Sequence, residues 1–89
     1  MRVIAYTKQF EKDLNKAQSA GRDIETLKLI IEMITAGERL PRKLNDHKLI
    51  GNFKGRRECH LAPDWLLIYK LEKERVLFER TGTHSELFK

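Results

Sequence analysis

The sequence predicts an α+β fold with its elements in the order β-α-α-β-β-β. Apolar residues in the first half recur at helical spacing, whereas the second half holds three runs rich in strand-forming residues, joined by connections of hairpin length. The chain has 89 residues, of which 40% are hydrophobic, enough for one modest core. We therefore expect residues 1–89 to form a single domain, in which a helical hairpin covers one face of a small, mostly antiparallel sheet.

The N-terminal half is predicted to form one strand and two helices. Residues 2–6 are rich in strand formers. Thr7 and Asp23 can each cap the start of a helix, and Gly21 and Gly37 suit the positions just past the two helix ends, where a positive φ is favourable. The apolar positions of these helices are Phe10, Leu14, Ala17, Ile24, Leu27, Ile30, Ile31, Met33 and Ile34.

The C-terminal half is predicted to form three strands, over residues 54–61, 65–71 and 76–82. The second of these is apolar at both alternate sets of positions, which is typical of a central strand with both faces buried. The first strand instead gathers polar side chains on one face, because side chains alternate between faces along a strand. These polar residues are Lys54, Arg56, Glu58 and His60. We therefore expect the sheet face opposite the helices to be open and charged.

The charge balance favours an anionic partner. Lys and Arg number 18 against 13 Asp and Glu, a net charge of +5. Residues 39–57 hold seven of the basic residues and only one acid, Asp46. Such a cluster indicates nucleic acid or phosphate as a partner, although a solvated basic surface is the alternative.

The sequence also excludes several classes of protein. It has no apolar run of about 18 residues, so we expect no membrane partner. Lys8 follows the N-terminus too closely for a signal peptide, and we expect a cytoplasmic protein. The single cysteine, Cys59, excludes a disulfide framework and a cysteine-based zinc site; we interpret it as a small buried hydrophobic residue.

Acid–base chemistry is suggested by three histidines in the second half, together with Asp64 in a predicted turn and Arg80 on the last strand. RNA transesterification needs a base for the ribose 2′-OH, an acid for the leaving 5′-oxygen and a cation for the phosphate. Histidine suits both proton roles near neutral pH. Each of these residues taken alone is more often structural, so the residues by themselves indicate only a basic α+β domain that acts on nucleic acid. The histidines are His47, His60 and His84.

We expect no metal and no cofactor, because the separations between the histidines match no local metal-ligand motif. Arg80 alternates in phase with Val76 and Phe78, so we expect its side chain to point away from that of Glu79. We interpret Trp65 and Tyr69 as core residues rather than platforms on which bases stack.

A run of residues in the second half resembles the YafQ toxins, which belong to the RelE/ParE superfamily of bacterial toxin–antitoxin modules. The order of predicted elements also agrees with this family along essentially the whole chain, and the resemblance implies a RelE-like fold. The resembling segments are Asp46-His47-Lys48-Leu49, Gly51, Lys54-Gly55, Arg57, His60, Pro63-Asp64-Trp65, Leu67-Ile68-Tyr69-Lys70-Leu71 and Phe78-Glu79-Arg80-Thr81-Gly82-Thr83-His84.

The resemblance implies an endoribonuclease that cuts mRNA on the ribosome without a metal and is held inactive by a DinJ-like antitoxin. His84 would be the general acid, and either Asp64 or His60 the general base. His47 would assist proton transfer or orient the site, and Arg80 would bind the scissile phosphate. The residues implied to contact RNA or support the substrate are Lys54, Arg56, Arg57, Trp65 and Phe88.

The alternative from a different class is a protein without enzymatic activity. The ParE branch of the same superfamily acts on DNA gyrase, so a ParE-like gyrase inhibitor or a basic nucleic-acid-binding module is the runner-up. The set of histidines favours the ribonuclease branch, because a gyrase inhibitor has no evident need for paired proton-transfer groups.

Overall fold

The structure, a computed structural model, describes residues 1–51 and 55–88 and shows an α+β fold. One mixed sheet has the strand order β1-β5-β4-β3-β2, in which β1 is parallel to β5 and the other neighbours are antiparallel. The predicted order of elements is confirmed, with a two-residue strand and a short C-terminal helix added to it. The elements are β1 (Val3–Tyr6), α1 (Lys8–Ser19), α2 (Ile24–Ala36), β2 (His47–Lys48), β3 (Arg57–Ala62), β4 (Trp65–Leu71), β5 (Arg75–Gly82) and α3 (His84–Leu87), with a 3-10 turn at Arg42–Leu44.

The predicted helix ends are confirmed by their hydrogen bonds and backbone angles. The Thr7 side chain accepts a hydrogen bond from the backbone N–H of Phe10 at 2.9 Å, and that of Asp23 accepts one from the N–H of Thr26 at 3.1 Å. Gly37 ends α2 at φ 77°, a left-handed conformation that favours glycine. These caps determine the residues at which the two helices begin and end, and therefore the length of the helical hairpin that packs on the sheet.

The helix face of the sheet, as we call the side covered by α1 and α2, carries the main core. Leu67 and Tyr69 of the central strand β4 meet the helices there, as do Val76 and Phe78 of β5. Cys59 is fully buried in the same cluster, as predicted. The helical residues packed against them are Phe10, Ala17, Leu27, Ile30, Ile31 and Ile34.

The opposite side of the sheet, which we call the histidine face, includes Glu58, His60, Leu66 and Ile68. The prediction that this side is open was wrong at its centre. Leu66 and Ile68 are fully buried there, in a small second cluster with Leu87 of α3. α3 covers the middle of the face because a capping box at Thr83 starts a helix directly after β5. The polar groups flank this apolar patch.

An irregularity in β5 interrupts the alternation from which the direction of Arg80 was predicted. Phe78 pairs with Tyr69, but Arg80 pairs with Ile68, so Glu79 is an extra residue in β5. A bulge of this kind interrupts the alternation of side chains. The phase of Val76 and Phe78 therefore does not by itself fix the direction of Arg80; its guanidinium binds Asp13 of α1, whereas the side chain of Glu79 binds Arg56. Within the described residues, no helix is long and apolar enough to cross a membrane.

Candidate active site

Three imidazole rings converge on the histidine face. The ring centroids of His47 and His60 are 6.2 Å apart, and those of His60 and His84 are 5.7 Å apart. Strand pairing explains the first contact, because His47 of β2 lies opposite Glu58, two residues from His60 on β3. His84 joins them because α3 begins immediately after the last strand. Three histidines that are far apart in sequence therefore line one site.

His84 and Asp64 form the best-defined pair in this site. Oδ1 of Asp64 accepts hydrogen bonds from the backbone N–H of His84 at 3.0 Å and from its ring Nδ1 at 2.8 Å. The backbone bond first, and then the ring bond, hold the pKa of Asp64 below its usual range, so the carboxylate is charged at neutral pH. An ionised carboxylate only accepts hydrogen bonds, so Nδ1 of His84 carries a proton and Nε2 is left for proton exchange.

Glu58 is a component of the site that the sequence analysis did not single out. Its side chain is only 7% exposed; Oε1 lies 3.1 Å from Nε2 of His60, and Oε2 lies 3.8 Å from Nε2 of His47. A carboxylate placed between two imidazoles can orient both and stabilise their protonated forms. The alternation along β3, which placed Glu58 on the face of His60, was the signal that could have identified it.

His47 is held by a network that reaches the helix face. Its Nδ1 donates a hydrogen bond to the carbonyl of Asn45 at 2.7 Å, because a carbonyl can only accept. Asn45 has φ 48°, an unusual left-handed conformation for a residue other than glycine. The intervening Asp46 accepts hydrogen bonds from Tyr69 Oη at 2.5 Å and from Arg57 Nη2 at 3.2 Å. Burial first, and then the bond to Asp46, raise the pKa of Tyr69, so its hydroxyl remains a donor.

Arg80 lies apart from the imidazole cluster in the contacts of the described residues. Its guanidinium forms a double ion pair with Asp13 of α1, with Nε to Oδ2 at 2.8 Å and Nη2 to Oδ1 at 3.3 Å. The same carboxylate accepts the backbone N–H of Thr81 at 3.1 Å. This pairing uses Nε and Nη2, so Nη1 lies outside it.

The residues expected to contact RNA have different surroundings. Arg56 pairs with Glu79 at 2.8 Å, and Arg57 is engaged by Asp46. Phe88 lies beside the site, with its ring centroid 6.4 Å from that of His84. Lys54 lies outside the described residues.

The grouping of Trp65 with the residues that contact RNA conflicts with its position. Its side chain is packed into the core of the helix face, and the residue is only 2% exposed. A base cannot stack on a ring that is already covered on both sides. The core interpretation of Trp65 is confirmed, and the residue supports the turn that carries Asp64.

The site also contains donor atoms that fit a metal ion. Atoms of Glu58, His60 and His84 lie within 4.8 Å of one another. Imidazole nitrogens with one carboxylate oxygen form a donor set suited to zinc or copper. The spacing of the histidines in the sequence did not indicate this set of donor atoms, because strand pairing and not local sequence brings the three residues together. Cys59 is not part of it; burial raises the pKa of its thiol to about 12, so it stays protonated.

Comparison with known proteins assigns the chain to one family. The family model described as "Bacterial toxin of type II toxin-antitoxin system, YafQ" matches residues 2–89. The chain belongs to the YafQ toxin family. It is 43% identical over 88 residues to the mRNA interferase toxin YafQ of Escherichia coli strain K12, an alignment that covers 98% of this chain and 96% of that protein. The family predicted from the sequence is therefore confirmed.

Two solved structures of related toxins share the fold. The E. coli DinJ-YafQ toxin-antitoxin complex contains a chain that superposes with a TM-score of 0.92 at 43% identity, covering 99% of this chain and 98% of that one. A metal-bound toxin from Helicobacter pylori superposes with a TM-score of 0.94 at 39% identity, covering 99% of this chain and all of that one. Solved structures similar to this chain thus include a YafQ toxin in complex with an antitoxin and a toxin bound to a metal.

Proposed function

We propose that this YafQ-family toxin cleaves mRNA on the translating ribosome by attack of a ribose 2′-OH on the adjacent phosphate. Membership of a family of mRNA interferases makes the protein an endoribonuclease; the proposal concerns its reaction and its substrate. The observation that carries it is the convergence of three imidazoles and two carboxylates on the histidine face. An acid and a base on opposite sides of one phosphate are what this reaction needs.

His84 is the general acid in this proposal. Asp64 holds Nδ1, so the protonated ring presents Nε2–H toward the site and gives that proton to the departing 5′-oxygen. Asp64 therefore acts through His84 as a positioning residue. Oδ1 of Asp64 already accepts two hydrogen bonds from His84, which supports His60 rather than Asp64 as the general base in this proposal.

His60 is the general base. Glu58 binds its Nε2 and stabilises the imidazolium that forms when the ring takes the 2′-OH proton. The oxygen of the 2′-OH then forms a bond to phosphorus, the bond to the 5′-oxygen breaks, and the products are a 2′,3′-cyclic phosphate and a 5′-hydroxyl. His47 orients Glu58 from the other side, at 3.8 Å.

Arg80 supplies positive charge for the phosphate oxygens in this reaction. Asp13 fixes the guanidinium by Nε and Nη2, and Nη1 then provides donors for a phosphate. Arg56, Arg57 and Lys54 would contact the RNA backbone through their positive charge. Phe88, beside His84, would orient a nucleotide at the site.

Ribosome dependence follows from how few groups can position a substrate. Correct orientation can contribute about 7–11 kcal/mol to catalysis, and a site built mainly of acid–base groups gains that orientation from an mRNA already held by the ribosome. The protein therefore acts in the cytoplasm, where translation takes place.

The natural inhibitor of this toxin is a DinJ-like antitoxin. The related E. coli toxin forms a complex with DinJ, and the net charge of +5 here favours rapid capture by an acidic segment. The association rate should fall as salt concentration rises; an unchanged rate would contradict the electrostatic part of this proposal.

The decisive experiment maps cleavage of a translated mRNA on purified ribosomes by primer extension. Wild type is compared with His84→Gln, with Lys28→Gln as a control away from the site and with naked mRNA as substrate control. We expect wild type and Lys28→Gln to cut only ribosome-bound mRNA, and His84→Gln to be slower by about 10²–10⁴-fold.

The other outcomes are equally informative. Equal cutting by His84→Gln would remove His84 from the chemistry, and cutting of naked mRNA at the same rate would remove ribosome dependence. If wild type cuts neither RNA, the proposed reaction is wrong, and inhibition of DNA gyrase is the next assay.

A further inference from the structure

A second polar cavity lies beside the site, between α1, the end of β5 and the start of α3. It encloses about 350 Å³, within the usual size range of ligand sites. We call it the α1–α3 pocket. Its walls carry four basic side chains, which are Lys12, Lys16, Arg22 and Arg80.

The two carboxylates of this pocket are bonded into its walls. Asp13 accepts hydrogen bonds from Arg80, from the Thr81 N–H and from Gln9 Nε2. The negative charge of Asp13 therefore faces donors of the protein itself, and it holds the guanidinium of Arg80 in place. Four cations against two carboxylates, the second being Glu86, leave an excess of two positive charges.

Glu86 is held in the same way from the other wall. Oε1 accepts the backbone N–H of Thr83 at 2.8 Å, and Oε2 pairs with Lys16. The hydrogen bond from Lys16, followed by that from the Thr83 backbone, lowers the pKa of Glu86 to about 2. The ion pair therefore persists at neutral pH and fixes Lys16 at the pocket wall.

Trp65 forms part of the wall of this pocket. The residue lines the pocket, and its indole Nε1–H has no hydrogen-bond partner among the described residues. Buried donors without a partner are rare in proteins. The guanidinium of Arg22 lies 5.5 Å from the centroid of the Trp65 ring. Basic side chains thus outnumber carboxylates in the walls, which favours an anionic ligand.

The pocket adjoins the acid of the proposed reaction. Thr83 in its wall directly precedes His84, and Trp65 directly follows Asp64. We propose that the α1–α3 pocket binds a backbone phosphate of the RNA strand adjacent to the scissile phosphate. Lys12 and Arg22 are its main ligands, and Arg80 lies between the two phosphates. This inference rests on the proposed ribonuclease function, because it assigns a subsite to the same substrate.

The test measures RNA binding without cleavage. A hexaribonucleotide with 2′-O-methyl groups lacks the attacking hydroxyl and is titrated into ¹⁵N-labelled protein. The indole N–H resonance reports on the pocket, because Trp65 is the only tryptophan of the chain. The double variant Lys12→Gln/Arg22→Gln is compared with Lys28→Gln/Lys73→Gln, which removes the same charge elsewhere; inorganic phosphate alone is the ion control.

We expect the oligonucleotide to shift the indole resonance of wild type and of the control variant. Loss of one charge-assisted phosphate contact should weaken binding of the pocket variant by about tenfold. The slope of log affinity against log salt should become shallower by about 0.7, the value for one phosphate of a single strand.

Three outcomes would overturn the inference. They are equal affinity of the pocket variant and wild type, no binding of RNA by wild type, and loss of antitoxin affinity alone in the pocket variant. The ribosome assay with His84→Gln is independent of this result. If the wild-type protein cuts no mRNA but the pocket variant still binds RNA more weakly than wild type, the proposed reaction is wrong and the proposed anion site stands.

Discussion

The two faces of the central strand β4 are both buried, but by different chemistry. On the helix face, Leu67 and Tyr69 meet two helices whose inward side chains are aliphatic or aromatic. On the histidine face, Leu66 and Ile68 are just as inaccessible, yet their cover is a single turn of helix flanked by imidazoles and carboxylates. One strand therefore separates a core that stabilises the fold from the candidate active site.

This difference teaches where substitutions should act. Groups on the helix face interact through apolar contact, whose loss lowers the free energy of unfolding. The imidazoles and Asp64 on the histidine face are polar and partly exposed, so we expect their loss to change cleavage more than stability. Substitutions on each face test that separation.

Asp64→Asn should abolish most activity while leaving the fold intact. The residue is exposed, but its carboxylate holds His84 by two hydrogen bonds. We expect cleavage on ribosomes to fall by about 10²-fold or more, with an unchanged thermal midpoint by circular dichroism. A large loss of stability instead would mean that the histidine face also supports the fold.

Leu27→Ala should have the opposite signature. Leu27 is 1% exposed in the helix-face core, and its truncation should lower the free energy of unfolding by about 2–5 kcal/mol in urea denaturation. Leu29→Ala is the matched control, because Leu29 lies on the same helix and is 57% exposed; it should change stability by less than about 0.5 kcal/mol. The folded fraction of Leu27→Ala should still cleave at the wild-type rate.

Zinc should inhibit the enzyme by occupying the donors of Glu58, His60 and His84. A bound ion would block both proton-transfer rings, and EDTA should restore activity. Glu58→Gln should weaken zinc binding, measured by calorimetry, by about 10–100-fold. Equal zinc affinity of Glu58→Gln and wild type would place the metal elsewhere.

Tyr69→Phe connects the two faces. The hydroxyl of a residue in the helix-face core supports Asp46, next to His47. Losing this hydrogen bond should lower the free energy of unfolding by about 1 kcal/mol and should also reduce kcat, with little change in KM. Tyr6→Phe, on the exposed strand β1, should change neither quantity. An effect on stability alone would remove Tyr69 from the positioning of His47.

Glu86→Gln should give the smallest effect, and one that depends on pH. The pKa of Glu86 is lowered from 4.5 to about 2 by Lys16, so the charged form stabilises the fold above pH 4.5 and that contribution is lost as the pH falls toward 2. The thermal midpoint of Glu86→Gln should be lower than that of wild type at pH 7, and the two should converge near pH 2. Glu74→Gln should follow wild type at both pH values.

The sequence predicted the parts of the fold that depend on local patterns. Thr7, Asp23 and Gly37 mark helix ends by side-chain chemistry or a positive φ that few other residues provide equally well. The central position of β4 follows from apolar side chains on both of its faces. These features were available because neighbouring residues alone determine them.

The candidate site was harder to predict because pairing between strands assembles it. Glu58 meets two imidazoles only through the register of β2 and β3. The extra residue Glu79 in β5 interrupts the alternation from which the direction of Arg80 was predicted. No local sequence pattern predicts such a bulge, and none predicts that Asp13 of α1 binds Arg80.

The parallel pairing of β1 with β5 has a consequence for biosynthesis. Val3 pairs with Arg75, so β1 has no partner strand until β5 has been synthesised. His84 follows β5 in the chain. The hydrogen bonds between Asp64 and His84 therefore cannot form before His84 has left the ribosome. A nascent chain interrupted before His84 therefore lacks the general acid of the proposed reaction, and cleavage should begin only after His84 has been synthesised. An antitoxin that is present by the time His84 has been synthesised can therefore bind the toxin before it cuts mRNA.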